Sequence, residues 1–188
     1  MCSLAKALSL TASKRRLDQS DAALSKEAMD RLILLAEKIG ERLLARGETL
    51  GISESSSGGL ISAALLSVAG ASRWYRGAGV IYTPNGFYGL MGLKREDIEG
   101  MRSSTEPYAA FMAGHIRKTL RTNWGLSETG AAGPDGNPYG DAAGHTCTAV
   151  IGAEVSSTRT LETGLGDRRE NMVLFAEAAL RHVIDVLE

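Results

Sequence analysis

The sequence has little of several features that mark specialised protein classes. Its 188 residues include only two cysteines, Cys2 and Cys147, which excludes a disulfide framework or a cysteine-based zinc site. No apolar stretch approaches the roughly 18–20 residues needed to span a bilayer. The formal net charge is −1, so no basic field favours a nucleic-acid partner. We therefore expect neither nucleic-acid binding nor a membrane-spanning segment.

What is present is the composition of a globular protein. Hydrophobic residues make up 44% of the chain and charged residues 23%, which suits one domain with its own core. The 22 glycines are concentrated at residues 58–59, 130–144 and 164–166. Clustered glycine marks places where the backbone turns sharply or lets a ligand approach closely.

The first residues differ from the rest of the chain. Residues 1–24 carry four basic side chains before the first acidic residue, Asp18, and are rich in serine and alanine. Two interpretations stay open: a transit peptide, which would place the protein in mitochondria, or a flexible, solvated N-terminal extension. With so little cysteine, a reducing compartment such as the cytoplasm is the default expectation. We predict that the folded domain covers residues 25–188.

The hydrophobic pattern predicts alternating helices and strands in that domain. Apolar residues at helical spacing predict a helix over 25–46, and Gly47 ends it. Asp167 begins the last helix, with Glu170 as its capping-box partner. The alternation indicates an α/β fold, a single layered domain with helices packed on a central β-sheet. The other predicted elements are strands at 49–53, 79–82, 126–129, 147–151 and 158–162, a helix after Gly59, and a helix starting at Ser104 or Thr105 with Pro107 in its first turn.

Three loops rich in Gly, Ser or Thr follow predicted strands. Ligands of open α/β sheets bind beyond the carboxyl ends of strands, where helix N-termini also offer free N–H groups. The first loop, Glu54–Gly59, has three serines and two glycines before a helix. It suits a phosphate cradle or a nucleophile, and equally a capped strand–helix turn.

The other two loops also allow two interpretations each. Thr129–Gly144 holds five glycines and two prolines, and a loop of this length is either functional or a surface excursion. Gly164–Arg169 puts Arg168 and Arg169 at a helix start, where arginine opposes the helix dipole. A phosphate or carboxylate ligand would explain these arginines, and so would simple exposure to solvent.

Taken in order, the loops carry a family resemblance. Glu54-Ser55-Ser56-Ser57-Gly58-Gly59 resembles the Glu-Ser-Cys/Ser-Thr-Gly-Gly signature of the CinA C-terminal domain family, the nicotinamide-nucleotide amidases. Gly70-Ala71-Ser72 is similar to the family's Gly-Ser-Ser turn. Residues 129–136 resemble its Gly-Ile-Ala-Gly-Pro-x-Gly loop, and residues 166–168 its Gly-Asp-Arg. The resemblance covers roughly residues 25–188.

The resemblance implies a reaction and a set of site residues. Family members hydrolyse the carboxamide of nicotinamide mononucleotide to nicotinate mononucleotide and ammonia, without a metal or organic cofactor. It also implies a homo-oligomer, expected to be a dimer, without the N-terminal domain of larger relatives, for which 188 residues leave no room. Ser55 corresponds to the family nucleophile, and an acyl-enzyme would form on it. The implied substrate-binding residues are Ser56, Ser57, Gly58, Gly59, Ser72, Tyr82, Thr129, Gly130, Gly133 and Arg168.

One position departs from the family pattern. The family's base is a lysine in the segment Tyr-Ser-Asn-Glu-Ala-Lys, and Phe87 stands in its place in the matching segment Tyr82–Phe87. Phenylalanine cannot accept a proton, so another base would have to serve, and Lys94, His145 and Tyr82 are the alternatives. Two hypotheses therefore remain: an amidohydrolase, or an inactive relative that binds a nucleotide-like ligand or a protein partner.

Overall fold

A computed structural model of the protein describes residues 19–188. Five strands form one sheet in the order β2-β1-β3-β4-β5, with helices on both of its faces. The predicted α/β domain with a central sheet is confirmed. The strands are β1 Leu50–Glu54, β2 Tyr75–Val80, β3 Trp124–Ala131, β4 His145–Ile151 and β5 Ser156–Glu162, and the helices are α1 Gln19–Arg46, α2 Leu60–Leu66, α3 Pro84–Met91, α4 Glu106–Leu120 and α5 Arg168–Val186.

The strand directions bring the loops of interest to one edge of the sheet. Strand β1 pairs in parallel with β2 and β3, while β4 is antiparallel to both β3 and β5. Strands β1, β2, β3 and β5 therefore all end at the same edge. We call it the carboxyl edge, and the three Gly-rich loops leave the sheet there.

Alternating residues on each strand point to different helices. On the first face, Ile52, Leu126 and Val150 pack in one buried cluster with residues of α1, α2 and α5. The second face lies against α4, which approaches β3 so closely that a Cβ on Gly125 would lie 2.0 Å from the Ala113 carbonyl oxygen. Glycine is therefore required at position 125 by contact with the helix backbone. The domain therefore has three layers: α1, α2 and α5 on the first face, the sheet in the middle, and α4 on the second face.

Several element boundaries differ from the predictions. Helix α1 begins at Gln19, six residues before the predicted start, so residues 19–24 of the predicted extension are helical. The rest of that extension lies outside the described residues. Strand β2 spans 75–80 where 79–82 was predicted, because it is an edge strand in which Arg76, Gly77 and Gly79 obscure the alternation.

Helix α3 was not predicted at all. Its two glycines, Gly86 and Gly89, weaken the helical pattern. A local start signal was nevertheless present: Thr83 caps the helix by accepting a hydrogen bond from the Gly86 N–H at 3.4 Å, and Pro84 is its first residue. The predicted start of α5 is confirmed, since the Asp167 carboxylate accepts from the Glu170 N–H at 2.9 Å.

Candidate functional site

A cavity of about 1080 Å³ lies at the carboxyl edge of the sheet. It gathers four of the predicted site residues, namely Ser55, Tyr82, Thr129 and Gly130. Four of the five tyrosines of the sequence line it, which makes it an aromatic as well as a polar site. Its remaining lining residues are Ile81, Thr83, Pro84, Phe87, Tyr88, Arg95, Glu96, Ile98, Glu99, Gly100, Met101, Arg102, Ser103, Ser104, Tyr108, Asn137, Pro138 and Tyr139.

The loop after β1 is held by a buried glutamate on β3. Glu128, which is 1% exposed, accepts hydrogen bonds from the backbone N–H groups of Ser55 (3.1 Å) and Ser57 (2.9 Å). The Ser56 hydroxyl also donates to it, as does the Thr146 hydroxyl at 3.0 Å. Four donors thus converge on one carboxylate, which fixes the backbone on both sides of Ser56.

A second buried glutamate occupies the start of α2. Glu54 is fully buried and accepts from the Gly59 and Ile61 N–H groups at 3.0 and 3.1 Å. It also accepts from the Ser62 N–H at 2.8 Å, from the Ser62 hydroxyl, and from the Ser57 hydroxyl at 2.9 Å. The N–H groups that make a helix start attractive to phosphate are therefore already paired with a carboxylate of the chain itself.

Only one of the three serines presents its hydroxyl to the cavity. Ser56 and Ser57 are 3% and 0% exposed, and each hydroxyl donates to a glutamate. Gly58 and Gly59 supply the left-handed backbone, with φ of 66° and 96°, that turns the chain from β1 into α2. Ser55 is half-buried and lines the cavity, and no described residue hydrogen-bonds its hydroxyl.

Phe87 forms part of the cavity wall from the second face. Its ring is 4% exposed and packs in a buried cluster with Ile81, Met91 and Tyr108. It also meets Tyr88 edge-on, with ring centroids 5.5 Å apart. Position 87, which is predicted to correspond to the family's lysine, is therefore an apolar, packed position of this fold.

The alternative bases are placed differently. Lys94 is exposed, caps a short 3₁₀ helix at residues 95–98, and does not line the cavity. Tyr82 does line it, but its hydroxyl accepts a hydrogen bond from Arg168 at 2.9 Å. His145 is 8% exposed, and both of its ring nitrogens face acceptors.

The surroundings of His145 favour its charged form. Nδ1 lies 2.5 Å from a Glu162 carboxylate oxygen and Nε2 lies 2.9 Å from the Ser104 carbonyl oxygen. Burial lowers the pKa of His145, but the hydrogen bonds to Glu162 and Ser104 outweigh it and leave the pKa raised above 6.5. A ring that donates from both nitrogens has no lone pair left to take a proton from Ser55.

Arg168 links two loops above the sheet. It is the first residue of α5, and its guanidinium donates to the Gly133 carbonyl at 2.7 Å and to Tyr82, whose ring centroid lies 5.8 Å away. Gly133 and Arg168 thus join Tyr82 at the rim but do not line the cavity itself. Their role in substrate binding stays a prediction.

Ser72 lies away from the cavity and from the other predicted site residues. It lies in a short 3₁₀ helix at residues 71–73, before the amino end of β2 and therefore towards the opposite edge of the sheet. Its neighbour Trp74 is fully buried in the first-face core, so packing explains the tryptophan better than stacking on a ligand. The predicted role of Ser72 is untested.

Polar contacts hold the long loop, both within it and from Arg102 in the segment before α4. Arg102 forms a two-pronged ion pair with Asp141 at 2.6 and 3.1 Å, and its guanidinium lies 5.8 Å from the Tyr139 ring centroid. Asn137 donates to Asp141 at 2.7 Å. The hydrogen bond from Arg102 is the main reason that the pKa of Asp141 lies below its ordinary value. The loop is therefore tied to the segment before α4 across the cavity.

The sequence analysis did not identify the residues whose hydrogen bonds hold the loops of the site in place. Glu128 had no assigned role, Ser104 was considered only as a helix start, and Glu54 was noted only as part of a motif. The available signal was Glu128 itself, a charged residue inside a predicted strand, where it has to find buried partners. Within residues 19–188, no group of three or more His, Cys, Asp or Glu is placed to hold a metal ion. No helix in the described part of the chain is long and apolar enough to cross a membrane.

Comparisons with known proteins agree on one family. The family model for the CinA C-terminal domain matches residues 33–187. A CinA-like protein of Nostoc sp. (strain PCC 7120) is 37% identical over 144 residues, which cover 71% of this chain and 34% of the relative. A CinA-like protein of Chlorobium phaeobacteroides (strain BS1) is also 37% identical, over 80% of this chain and 37% of its own length. The chain thus spans about a third of the length of these relatives.

Solved structures give the same result for the fold. A competence or damage-inducible protein from Enterobacter asburiae superimposes with a TM-score of 0.77 at 25% identity, over 84% of this chain and 98% of that one. A competence/damage-inducible protein from Agrobacterium tumefaciens has a TM-score of 0.77 at 24% identity, over 84% and 96% of the two chains.

Proposed function

Because this chain belongs to the CinA C-terminal domain family, we propose that it binds a pyridine-nucleotide carboxamide in the cavity and hydrolyses it through Ser55. The substrate class is the one that the family resemblance implies, with nicotinamide mononucleotide as its type. One observation carries the proposal: Glu128 holds the Ser55 backbone N–H at 3.1 Å while the Ser55 hydroxyl faces the cavity without a described partner. A nucleophile needs this combination of a fixed backbone and a free side chain.

The reaction would take two steps. The Ser55 oxygen attacks the carboxamide carbon, the C–N bond breaks, and ammonia leaves with the proton that the serine gives up. Water then attacks the resulting ester: its oxygen stays on the carboxylate product, one of its protons returns to Ser55, and the other converts the released ammonia to ammonium. Both steps need a group that accepts a proton from the attacking oxygen.

The cavity offers few groups for that task. Neither a lysine nor a histidine is among the described residues that line it, and its titratable side chains are Glu96, Glu99, two arginines and four tyrosines. Serine without a strong neighbouring base is a weak nucleophile at neutral pH. We therefore expect turnover well below that of a relative with the lysine, by a factor of about 10²–10⁴, which is the usual contribution of a general base.

Few groups near Ser55 are free to donate a hydrogen bond to the carboxamide oxygen as negative charge develops on it. The Gly59 N–H is paired with Glu54, and the Gly58 N–H donates to the Ser55 carbonyl at 3.1 Å, so neither is free for an oxyanion. The Thr129 hydroxyl accepts from the Ser104 N–H at 3.3 Å and keeps its own hydrogen for a ligand in the cavity. Thr129 is therefore the predicted binding residue best placed to donate.

Phe87 favours a second candidate, a protein that binds the same ligand without turnover. Its ring is 4% exposed in an apolar cluster at the position that matches the catalytic lysine. Such a protein would keep the polar loop of Ser55 and the cavity but lack the proton acceptor. Ligand binding and amide cleavage must therefore be measured separately.

The test combines ammonia release from nicotinamide mononucleotide with calorimetric binding, for the wild type and Ser55→Ala. Turnover in the wild type that Ser55→Ala abolishes, with binding retained, supports the amidohydrolase. Binding without turnover in both proteins supports the second candidate. If neither binding nor turnover is seen with the folded wild type, the pyridine-nucleotide proposal is wrong.

A further inference from the structure

Ser104 has a backbone conformation that serine rarely adopts. Its φ is 58°, in the left-handed region, and the only other described non-glycine residue with positive φ is Arg121 at 52°. Arg121 is the C-cap of α4, where a left-handed residue is ordinary. Ser104 instead lies two residues before the first residue of α4, so no helix end accounts for it. Such a conformation persists only where the surroundings hold it in place.

The surroundings hold Ser104 at both of its peptide groups. Its N–H donates to the Thr129 hydroxyl at 3.3 Å. Its carbonyl oxygen lies 2.9 Å from His145 Nε2 and accepts from the Cys147 thiol at 3.6 Å. These partners lie on the neighbouring strands β3 and β4, so the sheet itself determines the orientation of Ser104.

His145 is in turn held by Glu162. The Glu162 carboxylate accepts from Nδ1 at 2.5 Å, and β4 pairs His145 directly with Glu162 on β5. The other titratable groups facing the ring are Asp141 in the long loop and the buried Cys147 thiol. A ring held from both nitrogens is fixed in orientation, and Ser104 is fixed with it.

The hydroxyl of Ser104 is left for the cavity. The residue is 4% exposed and lines the cavity, and no described group hydrogen-bonds its side chain. Among the described residues only Trp74 Nε1 is a fully buried side-chain polar atom without a partner, so the Ser104 hydroxyl is open to solvent in the cavity. A ligand in the cavity would supply the missing partner.

Two of the three serines that line the cavity, Ser55 and Ser104, are held by consecutive residues of one strand. Glu128 holds Ser55 from the first face, and Thr129 holds Ser104 from the second face. Both serines line the same cavity, Ser55 just after β1 and Ser104 just before α4. A ligand bound in this cavity therefore meets both residues.

We propose that Ser104 is a second ligand-contacting serine, which donates its hydroxyl hydrogen to the carboxamide oxygen, and that His145, hydrogen-bonded to Glu162, is its positioning residue. This inference rests on the proposed function in one respect, namely that the ligand carries a carboxamide. The Ser104 contact strengthens as negative charge develops on that oxygen during attack by Ser55. Ser104 therefore influences turnover more than binding.

The first test compares Ser104→Gly with Arg121→Gly. Glycine accepts a left-handed φ without strain, so both variants are expected to fold with wild-type or higher thermal stability. Ser104→Gly should weaken the binding of nicotinamide mononucleotide roughly five- to tenfold, the value of one hydrogen bond, and lower kcat by about 10²-fold where turnover is measurable. Arg121→Gly should change neither. A Ser104→Gly protein with wild-type affinity and turnover overturns the inference.

Small primary carboxamides separate this inference from the proposed function. Acetamide, benzamide and nicotinamide are titrated by ligand-observed NMR into the wild type and Ser104→Gly. One outcome is that nicotinamide mononucleotide does not bind, but a small carboxamide does and Ser104→Gly weakens its binding. The proposed substrate is then wrong, and the proposed Ser104 contact with the carboxamide is supported. If none of these compounds binds the wild type, the Ser104 contact is wrong as well.

The positioning role of His145 is tested by the pH profile of binding. The pKa of His145 is raised above 6.5, so wild-type affinity should be constant below that pH and fall as the pH rises through the raised value. His145→Gln has no titrating group and should bind about fivefold more weakly at pH 6 with a flat profile. A profile that is the same in both proteins would mean that His145 serves the fold alone, and it overturns the positioning role.

Discussion

The two faces of the sheet meet at the same cavity, but their polar groups find hydrogen-bond partners of different kinds. On the first face, Glu54 and Glu128 accept only from hydroxyl and backbone N–H donors. On the second face, charged groups pair with one another, as in Arg102–Asp141 and His145–Glu162, beside an apolar cluster. The first face carries the Glu54–Gly59 loop of the predicted family signature, and the second carries Phe87, the predicted departure from the family.

The two buried histidines show the same difference. His182 of α5 is fully buried on the first face and meets two neutral hydroxyls, Thr148 and Ser157, each at 2.8 Å. Burial, followed by the nearby Arg159, lowers the pKa of His182 to about 4. His145 on the second face meets a carboxylate, and its pKa is raised. Burial alone does not decide the charge of a histidine; its partners do.

The largest expected effect comes from breaking the first-face network. Glu128→Gln replaces two acceptor oxygens by one and turns an N–H₂ donor towards groups that themselves donate. We expect a loss of about 3 kcal/mol in the free energy of unfolding, since each unsatisfied buried group costs about 1–3 kcal/mol. Urea unfolding measures this loss, and calorimetry should show weaker ligand binding because Ser55 is no longer held.

Glu54→Gln is the matched control for that prediction. It leaves the donors around α2 unsatisfied but does not touch the Ser55 N–H. We expect a similar loss of stability with ligand affinity within about twofold of the wild type. Equal losses of affinity in the two variants would contradict the prediction that Glu128 positions Ser55 and that Glu54 does not.

The second prediction introduces the family's lysine on the second face. Phe87→Lys places an amine in an apolar cluster and should cost about 2–3 kcal/mol in unfolding free energy, because burying an unpaired polar group is unfavourable. The amine should raise amide turnover at least tenfold if the lysine alone is missing. Thermal unfolding and ammonia release measure the two effects.

Phe87→Met serves as the control for the lysine variant. It keeps an apolar side chain of adaptable shape and should change stability by less than about 1.5 kcal/mol, with turnover unchanged. If turnover does not rise in a folded Phe87→Lys protein, the missing lysine is not what limits the reaction.

The third prediction concerns acid stability on the first face. The pKa of His182 is about 4 in the folded protein and 6.5 in the unfolded chain, so the unfolded state binds the extra proton first. Its contribution to stability is complete above pH 6.5 and is lost as the pH falls towards 4, by roughly 2 kcal/mol after allowance for solvent screening. The stability difference between the wild type and His182→Asn should therefore shrink between pH 6.5 and 4. A constant difference would mean that His182 does not titrate in this way.

The fourth and smallest effect has the opposite sign. The pKa of His145 is raised on folding, so its contribution is complete below pH 6.5 and is lost as the pH rises through the folded value. We expect His145→Gln to be less stable than the wild type by about 1 kcal/mol at pH 6. The gap should narrow towards pH 9 in chemical denaturation series. A gap that widens with pH would show that the sign assigned to His145 is wrong.

Much of the fold could be predicted because it depends on local patterns. The apolar stripes of α1 and α5, the Asp167 cap and the Gly-rich turns are all visible in short windows of sequence. Helix α3 and strand β2 were misjudged because glycine weakens the local pattern while packing against neighbours compensates. Four predicted site residues reach one cavity because parallel strands end at one edge.

The sequence by itself determined the α/β class and the order of the loops, since each depends on residues close together in the chain, and the departure at Phe87 stays a prediction. Only the tertiary structure decided which groups are available for chemistry. It brings Glu128 to Ser55 across 73 positions of sequence and His145 to Ser104 across 41. Those contacts occupy the Ser55 N–H and the ring of His145, and they leave the hydroxyls of Ser55 and Ser104 without a described partner beside the cavity. A hydrogen bond between distant segments depends on how the strands pair, and no local pattern records that pairing.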